Sequence, residues 1–222
     1  MKDFTGKGWS RHHGRGRDAY HHGNLKEALI EAALGLIAAN GPLGFTFAEA
    51  ARQAGVSPAA PYRHFRDREQ LLADVAARGF ERFAEALTQA WNGGAPDAIG
   101  AFVRVGKAYL EFARTQPGYY AAMFQAGVQL DSLPELRAAG DRAFGILRGA
   151  AETLGTRLPP ERRPPALMMA LHVWAMSHGV ASLFVQGAEL GRPLPMSPED
   201  LLEAGVLVYL QGLGLATAPS AS

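Results

Sequence analysis

The feature that most constrains this chain is a run of twenty residues, 46–65, that punctuates itself twice. Thr46-Phe47-Ala48-Glu49 has the form of a capping box, in which a hydroxyl opens a helix and a carboxylate three residues on reaches back to its start. The helix so opened carries Ala50, Ala51 and Ala54 and stops at Gly55. Only Val56 separates that stop from Ser57-Pro58, a cap followed by proline at the first helical position. Two short helices must therefore meet at a tight turn: Gly55 permits it, Val56 plugs the angle and Ser57 caps the second helix. This is the arrangement of a helix-turn-helix, whose second helix enters the major groove of DNA. A helical hairpin in a bundle, with a solvated arginine face, satisfies the bare spacing as well.

The rest of the chain reads as helix. Alanine supplies 40 of the 222 residues, whereas Val, Ile and Thr together supply 21, a balance that favours helix over extended sheet. Asn24 and Glu27 frame a first helix with Leu25, Leu29, Ala32, Ala33, Leu36 and Ile37 on one side, closed by Gly41-Pro42. Asp67 opens another that runs to about Trp91, before the break at Asn92-Gly93-Gly94-Ala95-Pro96. Further helices are expected from Asp97 to about Thr115, over Tyr119–Phe124, from a cap at Ser132 to about Leu154, over 164–186, and over 198–213. The expected fold is all-α: an N-terminal three-helix helix-turn-helix DNA-binding domain, followed by a larger helical ligand-binding and dimerisation domain. The expected limits are a flexible basic arm over 1–19, the DNA-binding domain over 20–72, the larger domain over 73–215 and a disordered tail over 216–222.

Several chemistries are excluded or disfavoured. Cysteine is absent, which removes disulfides, cysteine-ligated metals and thiol nucleophiles. His12, His13, His21 and His22 are adjacent pairs without a carboxylate cluster, a poor closed metal site, so no metal or other cofactor is expected. No nucleophile elbow, phosphate loop or His-Glu-x-x-His is present, and Ser177 and His178 point about 100° apart on a helix, so no enzyme is expected. Residues 1–18 lack the apolar core of a secretory signal. Residues 164–188 carry no Asp, Glu, Lys or Arg, but polar side chains are spread around them, as suits a buried helix. A cytoplasmic protein with no membrane partner is expected.

Charge separates along the chain. Residues 1–72 hold ten Lys and Arg against seven Asp and Glu, and residues 73–222 hold twelve against fourteen. A basic N-terminal end points to an anionic partner there. Tyr62 and His64 can hydrogen-bond phosphates, and Arg63, Arg66 and Arg68 cluster beside them. The run TFAEAARQAGVSPAAPYRHFRDREQLL, residues 46–72, closely resembles the DNA-binding domain of the TetR family of transcriptional regulators. Ala54-Gly55-Val56-Ser57, Tyr62-Arg63-His64-Phe65 and Arg68-Glu69 with Leu71-Leu72 carry the resemblance. It implies that Thr46 starts the first motif helix at a phosphate, that Tyr62 and His64 clasp the backbone, and that Arg68 stands where a phosphate-binding lysine is usual. Pro61 departs from the family's aliphatic residue; the recognition helix is expected to survive it, but to be short. Pro58, Ala59 and Ala60 offer the bases no hydrogen bond, so direct readout there is apolar. Specificity must come from Arg52 or Arg63, from DNA shape, or from the arm, where Arg11, Arg15 and Arg17 are expected in the minor groove.

The resemblance extends to the body. Trp174-Ala175-Met176-Ser177-His178-Gly179 and Tyr119-Tyr120…Met123-Phe124 resemble the WHG type of C-terminal domain found in this family. Trp174 and His178 either line a cavity or pack the core. A pocket for an apolar or aromatic effector is expected between Phe102, Tyr109, Phe112, Tyr119, Met123, Phe124, Met168 and Trp174, with His172 or His178 as polar anchor. Leu167, Leu171, Trp174, His178, Ala181 and Val185 form a seam at coiled-coil spacing, and the last helix is apolar on every side. These last two helices are expected to pair two chains. The expected function is a homodimeric repressor released from a palindromic double-stranded operator by a small effector. The alternatives are a helix-turn-helix turned to protein contacts and a regulator that needs no effector.

Overall fold

The structure, a computed structural model, describes residues 18–187 and 195–216, and the arm residues Arg11, Arg15 and Arg17 lie outside it. Eight α-helices and no strand occur among the described residues. They are α1 (Asp18–Asn40), α2 (Phe47–Gln53), α3 (Arg68–Trp91), α4 (Ala98–Thr115), α5 (Pro117–Phe124), α6 (Pro134–Gly155), α7 (Ala166–Gly187) and α8 (Pro198–Gly212).

Local capping sets most of these limits. Asp67 accepts from the Gln70 amide at 2.8 Å to start α3, Asp97 from Gly100 at 2.7 Å to start α4, and Ser197 from Asp200 at 3.0 Å to start α8. Three departures from the sequence expectation have a local cause. Helix α1 begins at Asp18, not at Asn24; no proline intervenes, and Gly23 costs a helix only about 1 kcal/mol. Helix α6 is capped by the backbone of Leu133 rather than by the Ser132 side chain. Pro134 forces its predecessor to be extended, which puts the cap one residue late.

The third difference is in the motif. Residues 57–64 do not form an α-helix: a turn leads to one 3₁₀ turn at Pro61–Arg63. In an α-helix capped by Ser57, residue 61 would be the first to donate to the Ser57 carbonyl, and proline has no N–H. That carbonyl accepts from Ala60 instead at 2.9 Å, Arg63 donates to Ala60 at 3.2 Å and His64 to Pro61 at 2.9 Å. These three-residue spacings define the tighter helix.

The core begins in the head, where Leu29, Ile30, Ile37, Phe45 and Phe65 are buried against Leu71 and Leu72 at the start of α3. Helix α3 crosses the expected domain boundary at residue 72 without interruption and carries Val75, Phe80, Phe83 and Leu87 into the body. There it packs most extensively on α6, then on α4 and α5. Helix α5 also touches the head. A Cβ on Gly118 would stand 2.8 Å from Leu34 Cδ1 of α1, and one on Gly79 of α3 would stand 2.7 Å from Met123 Sδ, so both glycines are where helices close up.

Helices α7 and α8 lean on α4 and on each other. Met169, Ala170, Val173, Ser177, Val180 and Ala181 face inward on α7, and Leu202, Val206 and Leu210 on α8. The last helix is therefore not covered on every side within one chain: Val208 is 67% exposed. The expected seam is likewise split. Leu167 and Leu171 are exposed, Trp174 and His178 half-buried and Ala181 buried. Met168, His172, Ala175 and Gly179 are exposed on α7 beside Leu167 and Leu171. The stretch Ala166–Phe184 is long and apolar enough to cross a membrane by length and composition alone.

Candidate functional site

Helix α2 is fixed at its start by both halves of the capping box. The Thr46 amide and hydroxyl donate to the Glu49 carboxylate at 2.7 and 2.9 Å, and the Glu49 amide donates to Thr46 Oγ1 at 3.2 Å. These bonds hold the Glu49 carboxyl below its usual range. The Thr46 hydroxyl proton is thus committed to Glu49. Gly55 takes φ +72°, a left-handed turn that glycine adopts without strain, and the chain comes back beside α2. Ala48, Glu49, Arg52, Val56 and Pro58 line a shallow groove between the two segments.

Arg52, Ser57, Pro58, Ala59, Tyr62 and Arg63 are exposed around this groove and the turn. Ala60 is buried, so only Pro58 and Ala59 of the three apolar residues expected at the bases reach solvent. The Tyr62 ring stands edge-on to Phe47 with centroids 5.1 Å apart, which orients a side chain that is still 64% exposed. His64 is half-buried.

Arg68 does not face outward. Its Nη2 donates to the Pro42 carbonyl, its guanidinium lies 4.9 Å from the Phe45 ring centroid, and its buried Nε has no hydrogen-bond partner among the described residues. The side chain ties the loop between α1 and α2 to the start of α3. Arg66 is exposed but paired with Asp67 at 2.7 Å, and this contact holds the Asp67 carboxyl low.

The body holds a cavity of about 400 Å³, within the range of small-molecule sites. Phe80, Phe83 and Leu87 of α3 form one wall, Val105, Gly106 and Tyr109 of α4 another, and Met123 and Phe124 of α5 a third. Gly140, Asp141, Ala143, Phe144 and Leu147 of α6, Leu171, Val173, Trp174 and Ser177 of α7, and Leu130 complete it. Of the residues expected at a pocket, Tyr109, Met123, Phe124 and Trp174 are here. Phe102, Phe112 and Tyr119 are not; they are buried in packed core. Met168 and His172 are not either, because they lie on the outer face of α7, where His172 Nδ1 is 3.2 Å from the Tyr209 hydroxyl of α8. The missed walls were readable by face: Phe80, Phe83 and Leu87 share one side of α3, and Gly140, Ala143, Phe144 and Leu147 one side of α6.

His178 stands behind the wall. Its Nδ1 is 2.7 Å from the Tyr109 hydroxyl and 3.3 Å from that of Tyr120, and its ring centroid is 5.7 Å from that of Trp174. Burial pushes the imidazole below its ordinary range and the Tyr109 hydroxyl well above its own. Both shifts favour a neutral ring beside a protonated phenol, and in the tautomer with its proton on Nε2 the Tyr109 hydroxyl donates to Nδ1. The Ser177 hydroxyl donates to the Val173 carbonyl at 2.9 Å, away from His178, so the two adjacent residues form no nucleophile–base pair. Among the described residues no group of three or more acidic or histidine side chains is placed to hold a metal ion.

Comparison with known proteins gives matches at both ends. Residues 29–75 match the family described as bacterial regulatory proteins, tetR family, and residues 102–209 match the tetracyclin repressor-like C-terminal domain. The chain is 49% identical over 47 residues to the HTH-type transcriptional regulator BetI of Rhizobium meliloti (strain 1021), covering 21% of this chain and 23% of that one. Its fold is similar to a Rhodococcus sp. RHA1 protein of unknown function: TM-score 0.72, 28% identity, 88% of this chain and 98% of the other. It is also similar in fold to the TetR family regulator PfmR of Thermus thermophilus, with TM-score 0.62 and 21% identity over 82% of this chain and 97% of the other. With its helix-turn-helix head and all-helical body matched in turn, the chain belongs to the TetR family of transcriptional regulators.

Proposed function

We infer that the protein is a cytoplasmic homodimeric repressor that leaves a palindromic operator when a small molecule fills the body cavity. The observation that carries this reading is α3. The helix starts one residue beyond a cap beside the recognition turn, and its Phe80, Phe83 and Leu87 wall the cavity, so one rigid element is shared by both sites. A ligand that prefers one tilt of this helix shifts the head by its differential affinity for the two states. Pairing is supported by the outer face of α7 and α8, where Leu167, Met168, Leu171, Leu183 and Val208 are all more than 40% exposed. A Cβ added to the outward Gly179 would meet nothing within 4 Å, which leaves room there for a second helix. In the head, Tyr62 and Arg63 bind phosphates, Arg52 and Arg63 reach base edges, and Pro58 and Ala59 meet thymine methyl groups.

Selection of bound sequences from a random duplex pool, followed by sedimentation of the complex, tests this. A palindromic winner carrying two chains, with affinity falling steeply as salt rises, is the expected result. Enrichment of a sequence bound by one chain would overturn the paired reading. No enrichment at all would turn the motif to protein contacts.

A further inference from the structure

The interior of the cavity asks for no hydrogen bond. The Tyr109 hydroxyl is already bonded to His178 at 2.7 Å and the Ser177 hydroxyl to Val173 at 2.9 Å. No lysine, arginine or histidine is among the lining residues. An anionic group brought inside would be a buried charge without a partner, the costliest arrangement a binding site can offer. Six aromatic rings, from Phe80, Phe83, Tyr109, Phe124, Phe144 and Trp174, line the space and present π faces or edges to whatever enters.

The mouth has the opposite character. Asp141 is the one ionised residue among the lining side chains. Arg137 pairs with it at 3.1 Å and pairs with Asp131 as well, so two carboxylates share one guanidinium and a net charge of −1 remains. The nearest other cation on α6, Arg142, is spent on Glu81 at 3.3 Å. Leu130, beside Asp131, also lines the cavity, and a Cβ on Gly140 would be 3.2 Å from its Cδ2. The Asp141 side chain is 68% exposed, so the lining joins a carboxylate at its solvent edge to an apolar, ring-lined interior.

We propose that the cavity takes a hydrophobic monocation, with an aromatic or alicyclic body among the rings and a single ammonium group at the mouth beside Asp141 and Asp131. The proposal rests on the reading of this cavity as the effector site. The ammonium stays partly hydrated at the rim and gains from the unbalanced carboxylate and from neighbouring ring faces. The body supplies the apolar contact, and its size is set by a volume of about 400 Å³.

The test is calorimetric titration of the full chain with three matched probes: biphenyl bearing a four-carbon chain that ends in an amine, an alcohol or a carboxylate. At low salt the amine should bind about three- to fivefold more tightly than the alcohol, and the carboxylate more weakly than either. Asp141→Asn should narrow the gap between amine and alcohol, with an unchanged urea midpoint reporting that the variant is folded. If the carboxylate binds as tightly as the amine, or the gap survives Asp141→Asn, the ligand class is wrong while the effector cavity stands. If none of the three binds, the cavity is not a ligand site and both readings fall.

Discussion

Arg68 enters the head guanidinium first. It bonds the Pro42 carbonyl and covers the Phe45 ring, whereas Arg63, five residues earlier, is exposed. The two arginines should therefore fail in different ways. Arg68→Ala removes a charged hydrogen bond and a ring contact and should destabilise the fold by about 1–3 kcal/mol, read as a lower midpoint in urea. Arg63→Ala should leave that midpoint within about 0.5 kcal/mol and lower the salt slope of operator binding by about one. His178 gives a pH signature. Burial holds its folded form neutral, so the unfolded chain binds the proton more readily. Stability is then complete above the ordinary histidine value of about 6.5 and is lost as pH falls through and below it. In His178→Gln the side-chain carbonyl can still accept from Tyr109, and this part of the acid loss should disappear from midpoints measured between about pH 7 and pH 5.

At the scale of elements, the difference between what the sequence foretold and what it did not lies in proline. Thr46, Asp67, Asp97 and Ser197 all cap where the sequence places them, because a cap is a contact between residues three apart. Pro61 and Pro134 act on carbonyls and on predecessors instead, and so displaced the recognition helix and the start of α6. Pro61→Ala restores the missing N–H. Residues 58–64 should then close into an α-helix, read as new amide-exchange protection at residue 61 and as an altered operator affinity. The cavity was half legible for another reason. Aromatic type alone selected Tyr109, Phe124 and Trp174, which line the cavity, together with Phe102, Phe112 and Tyr119, which are buried away from it. Which face of α4 and α5 turns inward is decided by α3 and α6, far away in sequence.

Across the whole molecule, the exposed apolar strip on α7 and α8 is the surface on which the proposed pairing rests. Val208, 67% exposed, has no role in the single-chain core. Val208→Glu should leave the helical content unchanged, shift sedimentation to the monomer and weaken operator binding by at least about tenfold, since a single head keeps only half the contacts. Leu202→Glu, by contrast, would bury a charge against α4 and should unfold the body. The 24 residues of α3 make a rod about 36 Å long. A rod of that length multiplies angle into distance: a tilt of about 5° at the cavity end moves the far end by about 3 Å. That is the reach of a hydrogen bond, so a rearrangement too small to alter the outline of the body is large enough to take a side chain off a phosphate.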